Sequence, residues 1–413
     1  MTNAYRFILD NIDRTTKTFD ETLKDGLEIP LIPLPFPFTT PCAEGMFQEM
    51  YYWDTYFTHK CLLLTKRTGQ VRNNLKNFVY LLVEYDKIPN GNRMHYLTRS
   101  QPPFFGLMLQ DAIRAVPDLF PLQSTFFALE KEYAFWQRNR KTKNGLNAYG
   151  RDSVKGTPAE PHCNLDNVGN YFDRTGIRLP QTDENDKNVI AECESGWDFS
   201  PRFQGRCSRF NPVDLNALLY ADEVLLSKWA SELGSSEVSA NYQNLATERK
   251  QKMQSLLKKD GVYYDYDFEN AALSPVVSCA ALYPYFVGLD DDKDGFLKTL
   301  NALEKPFGVV ACSHPSRVYQ WSEPNGWAPL HYVAVSAAHK LGLTETAKRI
   351  AEKYLAATDE IFEKTGRLWE KYNAETGDLD VSSEYGTPEM LGWTAGVYTA
   401  FYHFKKSGYR TLI

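Results

Sequence analysis

The chain has 413 residues, with 46 Lys and Arg against 52 Asp and Glu, for a net charge of −6. That balance offers no basic surface for nucleic acid or an anionic membrane, and 43% apolar with 24% charged residues is the composition of a globular protein with a large core. The 7 cysteines stand singly, with no Cys-x-x-Cys pair, which leaves no zinc ribbon or dense disulfide framework and favours free thiols in a reducing compartment. Charged residues follow Met1 closely, and nowhere do about 18 apolar residues stand together. A cytoplasmic location without a membrane span is expected.

In chain order, residues 1–30 predict one or two helices. Pro30, Pro33, Pro35, Pro37 and Pro41 then hold the chain extended over a surface, because proline removes a donor and fixes φ. Residues 1–45 are thus expected to pack, as helix and extended segment, on a single catalytic domain spanning 1–413. Val71, Leu75, Phe78, Val79 and Leu82 recur at helical spacing and predict a helix over 70–85, ended by a breaker cluster at 88–92. A second, aromatic-rich helix is predicted over 123–138. Residues 141–200 are polar and weakly periodic, and predict a long decorated loop. Asn211 and Pro212 open the next helix as N-cap and first-turn proline, Leu218, Ala221, Leu225 and Trp229 give its stripe, and Gly234 ends it. A short strand is predicted over 262–266. Thr344 caps another helix, and 391–404 is the last. The pattern predicts an all-α fold of paired helices with loops gathered at one end.

Five loops carry chemistry. At 194–203, Asp198 lies between Trp197 and Phe199 on a bend containing Gly196, an arrangement that offers a stacking wall and a carboxyl whose pKa that wall can raise. At 47–57, Trp53 and Asp54 pair a sugar-stacking face with a hydroxyl acceptor. Asn90, Arg99 and Gln101, at 88–104, are fork-shaped hydrogen-bonders on rigid backbone. Trp321 and Trp327 occupy a Pro/Gly loop, and Glu370 and Glu384 follow farther on. Each stretch alone has a plainer reading: a capped turn, Asp54 as an N-cap, a helix terminator, a wedge between helices, two surface glutamates. Together they outline a cleft with two carboxyls drawn from distant parts of the chain. No phosphate loop, nucleophile elbow or His-Glu-x-x-His motif is present, and the spacing of His162, Cys163 and Asp166 fits no metal site. Paired carboxyls among stacking aromatics point to glycoside hydrolysis.

In this order, the stretches 47–56, 90–103, 194–198, 320–329 and 370–394 resemble the signatures of the trehalase family. The resemblance implies an (α/α) toroid of six helical hairpins and inverting hydrolysis of α,α-trehalose to two glucoses. By position it makes Asp198 the general acid and Glu370 the general base. It places Phe47, Trp53, Asp54, Asn90, Arg99, Gln101, Glu160, Gly196, Trp321 and Glu384 on the sugar. It implies no cofactor and no metal, a small sugar as the partner, no nucleic acid or membrane, and a monomer or weak homo-oligomer. Met46 stands where the family has an arginine and Ser322 where it has an aspartate. The counterpart at 157–160 lacks its arginine, for which Arg151 is the candidate replacement. These departures keep two alternatives open: hydrolysis of another small α-glucoside such as glucosylglycerate, and a sugar-binding relative without catalysis.

Overall fold

Helices of two kinds of sequence alternate along the chain. The computed structural model describes residues 1–23 and 29–412. The first helices are α1 (Asn3–Asn11), α2 (Tyr52–Leu64), α3 (Thr68–Tyr85), α4 (Phe105–Ala115) and α5 (Leu122–Asn139). Next come α6 (Asn167–Thr175), α7 (Asp183–Glu194), α8 (Val213–Glu232), α9 (Ser236–Leu256) and the single turn α10 (Tyr283–Phe286). The last are α11 (Lys293–Leu303), α12 (Ala328–Lys340), α13 (Thr344–Thr365) and α14 (Trp393–Lys406).

Among the described residues, α2, α4, α8, α10, α12 and α14 touch in sequence, and α14 returns to α2, so six helices close an inner ring. Their sequences are apolar nearly all round, as a helix with neighbours on every side requires. Of the 13 residues of α2, only Leu64 escapes burial. The buried Lys60 of α2 is paired with Asp111 and lies over the Tyr56 ring at 4.1 Å. The outer layer is amphipathic. Outer helices α3, α5, α9, α11 and α13 each follow an inner one, and α1 packs on α13 and α14 as the sixth. Tyr5 stacks on Tyr402 at 4.0 Å and its hydroxyl meets His403 Nε2 at 2.8 Å, so the two ends of the chain complete one hairpin. The expected all-α toroid of six hairpins is the observed fold.

The Pro-rich segment is extended, as predicted. Asn77 Oδ1 accepts from Phe36 N at 3.1 Å and Asn74 Oδ1 from Thr39 N at 3.1 Å, so side chains of α3 satisfy backbone donors of this segment. Residues 24–28 of the expected N-terminal segment lie outside the described residues.

Four expectations change, the simplest being that Thr344 is the first residue of α13 rather than its cap, with Leu343 at the N-cap position. Residues 141–200 are not a loop throughout, since α6 and α7 lie within them. Asp166 caps α6 by accepting from Gly169 N at 2.8 Å, Gly176 ends it at φ +72°, and Thr182 caps α7. Capping chemistry replaces a long apolar stripe there. Asn211 is not the cap of α8. Its side chain donates to Thr142 Oγ1 and the Asn147 carbonyl, and Pro212 takes the N-cap position. The strand at 262–266 is two strands, Val262–Tyr263 and Tyr266–Asp267, with different partners.

The loops that precede inner helices gather at one mouth of the ring. There the strand Asn325–Trp327 pairs antiparallel with Lys371–Asn373, which ties the approach to α12 to the segment carrying Glu370.

Candidate active site

A cavity of about 380 Å³ opens at this mouth, within the range of roughly 300–1000 Å³ usual for small-molecule sites. Its wall is a run of indoles. Trp321 stacks on Trp327 at 3.8 Å with the rings nearly parallel, and lies 5.3 Å from Trp197 and 5.7 Å from Trp53. Trp393 meets Trp53 edge-on at 5.8 Å. Gly196 is required in this wall. Its φ is +74°, and a Cβ there would stand 3.0 Å from the Trp53 ring.

Hydrogen-bonding groups ring the wall. Asp54 sits in the first turn of α2 and faces the cavity. Burial pushes its carboxyl up to about 8, and the charges of Glu370 and Asp198 add to the rise. The Gln101 side chain accepts from Trp53 N at 3.1 Å, fixing the start of α2, and Asn90 is held by Arg99 O and Tyr52 N through its own backbone. Arg99 lies over the Tyr96 ring at 4.9 Å, and its buried Nε has no hydrogen-bond partner among the described residues. Phe47 makes edge contacts with Tyr51 and Tyr385.

Two carboxyls face this space from opposite parts of the chain. Glu370 is buried. It takes the Lys371 ammonium at 2.6 Å on Oε2 and the Tyr385 hydroxyl at 2.9 Å on Oε1. Asp198 projects from the turn that follows α7, and Arg174 of α6 reaches its Oδ2 at 2.7 Å. The wall expected beside the Asp198 carboxyl is therefore a guanidinium rather than an apolar surface. The same arginine donates Nε to Glu384 at 2.8 Å and stacks on Phe199 at 4.6 Å. Glu384 also accepts from Phe199 N at 3.1 Å and Gln320 N at 3.4 Å. Burial raises Glu384 to about 7, with Arg174 opposing and Asp198 adding to the rise.

Of the residues expected on the sugar, Phe47, Trp53, Asp54, Asn90, Arg99, Gln101, Gly196, Trp321 and Glu384 line this cavity with Asp198 and Glu370. Glu160 does not. It closes a local turn by accepting from Gly156 N at 2.6 Å, away from the cavity lining. Arg151 is held on α7 by Asp183 and Asp186 and replaces nothing in the site. Arg174 is the arginine that enters it. The Asp166 cap and the Gly176 stop bracket a short helix with Arg174 three residues after the buried Tyr171, a signal that the polar composition hid. Ser322 is buried with its hydroxyl on the His314 carbonyl and lies outside the lining. Met46 lines the cavity and is 42% exposed. His162, Cys163 and Asp166 form no cluster, and among the described residues no group of His, Cys, Asp and Glu is arranged to hold a metal.

Comparison with known proteins places this architecture. A family model described as Trehalase matches residues 6–405. A periplasmic trehalase from Xanthomonas oryzae is 34% identical over 400 residues, covering 89% of this chain and 68% of that protein. One from Pseudomonas aeruginosa is 33% identical, covering 89% and 71%. The solved neutral trehalase of Saccharomyces cerevisiae is similar with a TM-score of 0.76 at 25% identity, covering 93% of this chain and 78% of that one. A mannosylglycerate hydrolase from Thermus thermophilus, solved with glucose, shares the fold with a TM-score of 0.63 at 14% identity, covering 97% and 99%. The expected cytoplasmic location is overturned by the Xanthomonas and Pseudomonas relatives, which are named periplasmic trehalases. The thiol argument fails for a physical reason: Cys42, Cys61, Cys207, Cys279 and Cys312 are buried, and burial protects a thiol in any compartment. With the family model spanning nearly the whole length and the toroid around the two carboxyls, the chain belongs to the trehalase family of glycoside hydrolases.

Proposed function

We propose that the protein hydrolyses α,α-trehalose with inversion, Asp198 acting as general acid and Glu370 as general base. The observation that supports it most is the meeting of these two carboxyls in one tryptophan-walled cavity, although 172 residues separate them (370 − 198). Asp198 gives its proton to the glycosidic oxygen as the bond from that oxygen to the anomeric carbon breaks. Glu370 takes a proton from the water that attacks the opposite face of that carbon. Asp54, Asn90, Arg99, Gln101 and Glu384 bind hydroxyls, and Phe47 and the indoles cover sugar faces. Glu384 also accepts from the Arg174 guanidinium, so Arg174 can release Asp198 and still keep a hydrogen-bond partner. We propose the periplasm, named for the relatives, as its location.

The test reads stereochemistry and the two carboxyls together. Proton spectra taken early in trehalose hydrolysis should show α- and β-glucose in equal amounts, whereas retention would give α-glucose alone. D198N and E370Q should each lower kcat by about 10²–10⁴-fold. An active D198N, or α-glucose alone at early times, would end this assignment.

A second reading, hydrolysis of another small α-glucoside such as glucosylglycerate, is favoured by Met46 and by the unpartnered Nε of Arg99, which suits a carboxylate. Side-by-side kinetics on trehalose, glucosylglycerate, kojibiose and maltose separate the two.

A further inference from the structure

Glu192 lies in the last turn of α7, six residues before Asp198, and is 2% exposed. Its neighbour Glu194, equally buried, has the fork of Arg140 on both oxygens at 2.8 Å. Glu192 has no such partner. Among the described residues its side chain accepts only from Ser200, from the backbone N at 2.8 Å and the hydroxyl at 3.2 Å. The charged groups that bear on it are the Glu384 and Asp198 carboxyls, of its own sign. The other titratable groups facing it are Tyr171, Cys193, Cys207, Cys312 and Tyr319, all neutral at ordinary pH. A buried acid without a cation is a cost that a fold seldom carries without use.

Its bonds show what it holds. The Glu192 carbonyl accepts from Ser195 N at 3.1 Å and Ser195 Oγ at 2.6 Å, and Ser195 Oγ in turn accepts from Trp197 N at 3.1 Å. The Glu192 carboxyl accepts from Ser200 at the far end. One residue therefore grips both ends of the turn 195–200, with Asp198 at its middle. We infer that Glu192 is a positioning residue for the general acid, its carboxyl fixing where Asp198 stands relative to the glycosidic oxygen. This rests on the role proposed above for Asp198.

Burial, followed by the Glu384 and Asp198 charges, pushes Glu192 up to about 8, against the two bonds from Ser200. An amide in its place keeps a carbonyl oxygen for Ser200 and adds no charge behind Asp198.

Two substrates test the inference. Trehalose needs a proton on its leaving oxygen, whereas α-glucosyl fluoride releases fluoride without one. E192A should lose about 10–100-fold in kcat on trehalose, since a misplacement near 1 Å is worth that much, with KM within about twofold. It should hydrolyse α-glucosyl fluoride at close to the parent rate. E192Q should restore trehalose turnover. Equal losses on both substrates, or none on trehalose, would overturn the inference. D198A run in parallel identifies which idea has failed. If D198A is impaired on trehalose alone and E192A is not, Glu192 has no positioning role. If D198A is unimpaired, the role of Asp198 itself is wrong.

Discussion

At the scale of single residues the site turns on which charges meet. Arg174 holds Asp198 and Glu384 with one guanidinium, and its planar fork reaches two carboxyl groups in a way an ammonium cannot. R174Q should lower kcat/KM on trehalose by roughly 10–100-fold, the value of one charged hydrogen bond at about 1.5–3 kcal/mol. R174K should recover little of it, and steady-state kinetics on the two variants decide. Gly196 gives a second prediction. G196A combines a left-handed backbone with a Cβ pressed on Trp53, so it should weaken trehalose binding and lower the melting temperature together. An unchanged melting temperature would count against the packing argument. The residues that sequence alone made visible are those whose type announces chemistry beside an aromatic: Asp198 after Trp197, Asp54 after Trp53, Glu370 after Trp369. Arg174 and Tyr385 were hidden because their roles depend on partners more than ten residues away in the chain, which no local pattern records. Glu160 misled for the opposite reason: its short stretch has the right neighbours in sequence, but its carboxyl serves the turn at Gly156.

At the scale of elements, legibility followed burial. Outer helices such as α3 and α5 have an apolar face and were predicted to within a few residues. The inner helix α12 is enclosed, from Ala328 to Val335 and again at Ala337 and Ala338, so no period marks it. The helix α6 was hidden differently: it sits on a small core of its own, Tyr171 with Val189 and Phe199, and depends on caps. Removing its N-cap with D166A should cost about 0.5–2 kcal/mol of local stability. Because α6 carries Arg174, the same change should raise KM for trehalose, and limited proteolysis should cut within 164–182 sooner than in the parent. Cleavage at the parent rate would mean that the small core suffices.

At the scale of the whole molecule, several buried acids share one direction. Burial raises Asp54, Glu132 and Glu192 each to about 8, and Glu384 to about 7. The folded chain keeps these protons where the unfolded chain has released them. Their combined contribution therefore weakens stability as pH climbs from the ordinary carboxyl range toward about 8, and is level above it. Glu132 is the useful test because it stands outside the catalytic cavity, bonded to the Tyr52 hydroxyl near the buried Asp222. In E132Q the melting temperature should fall less between about pH 5 and pH 8 than in the parent. Parallel curves would show that Glu132 does not keep its proton.

The hairpin made by the two ends of the chain also sets a timetable for synthesis. Helix α1 is synthesised before the inner ring, yet its packing surfaces on α13 and α14 are made after every other helix of the ring. The wall around Trp53 waits likewise for Glu370, Glu384 and Trp393. Until the final helix emerges, an open arc of apolar inner helices must be kept from other chains, and no shortened product of translation has a finished catalytic pocket. Activity begins only when the last turn of the ring meets the first.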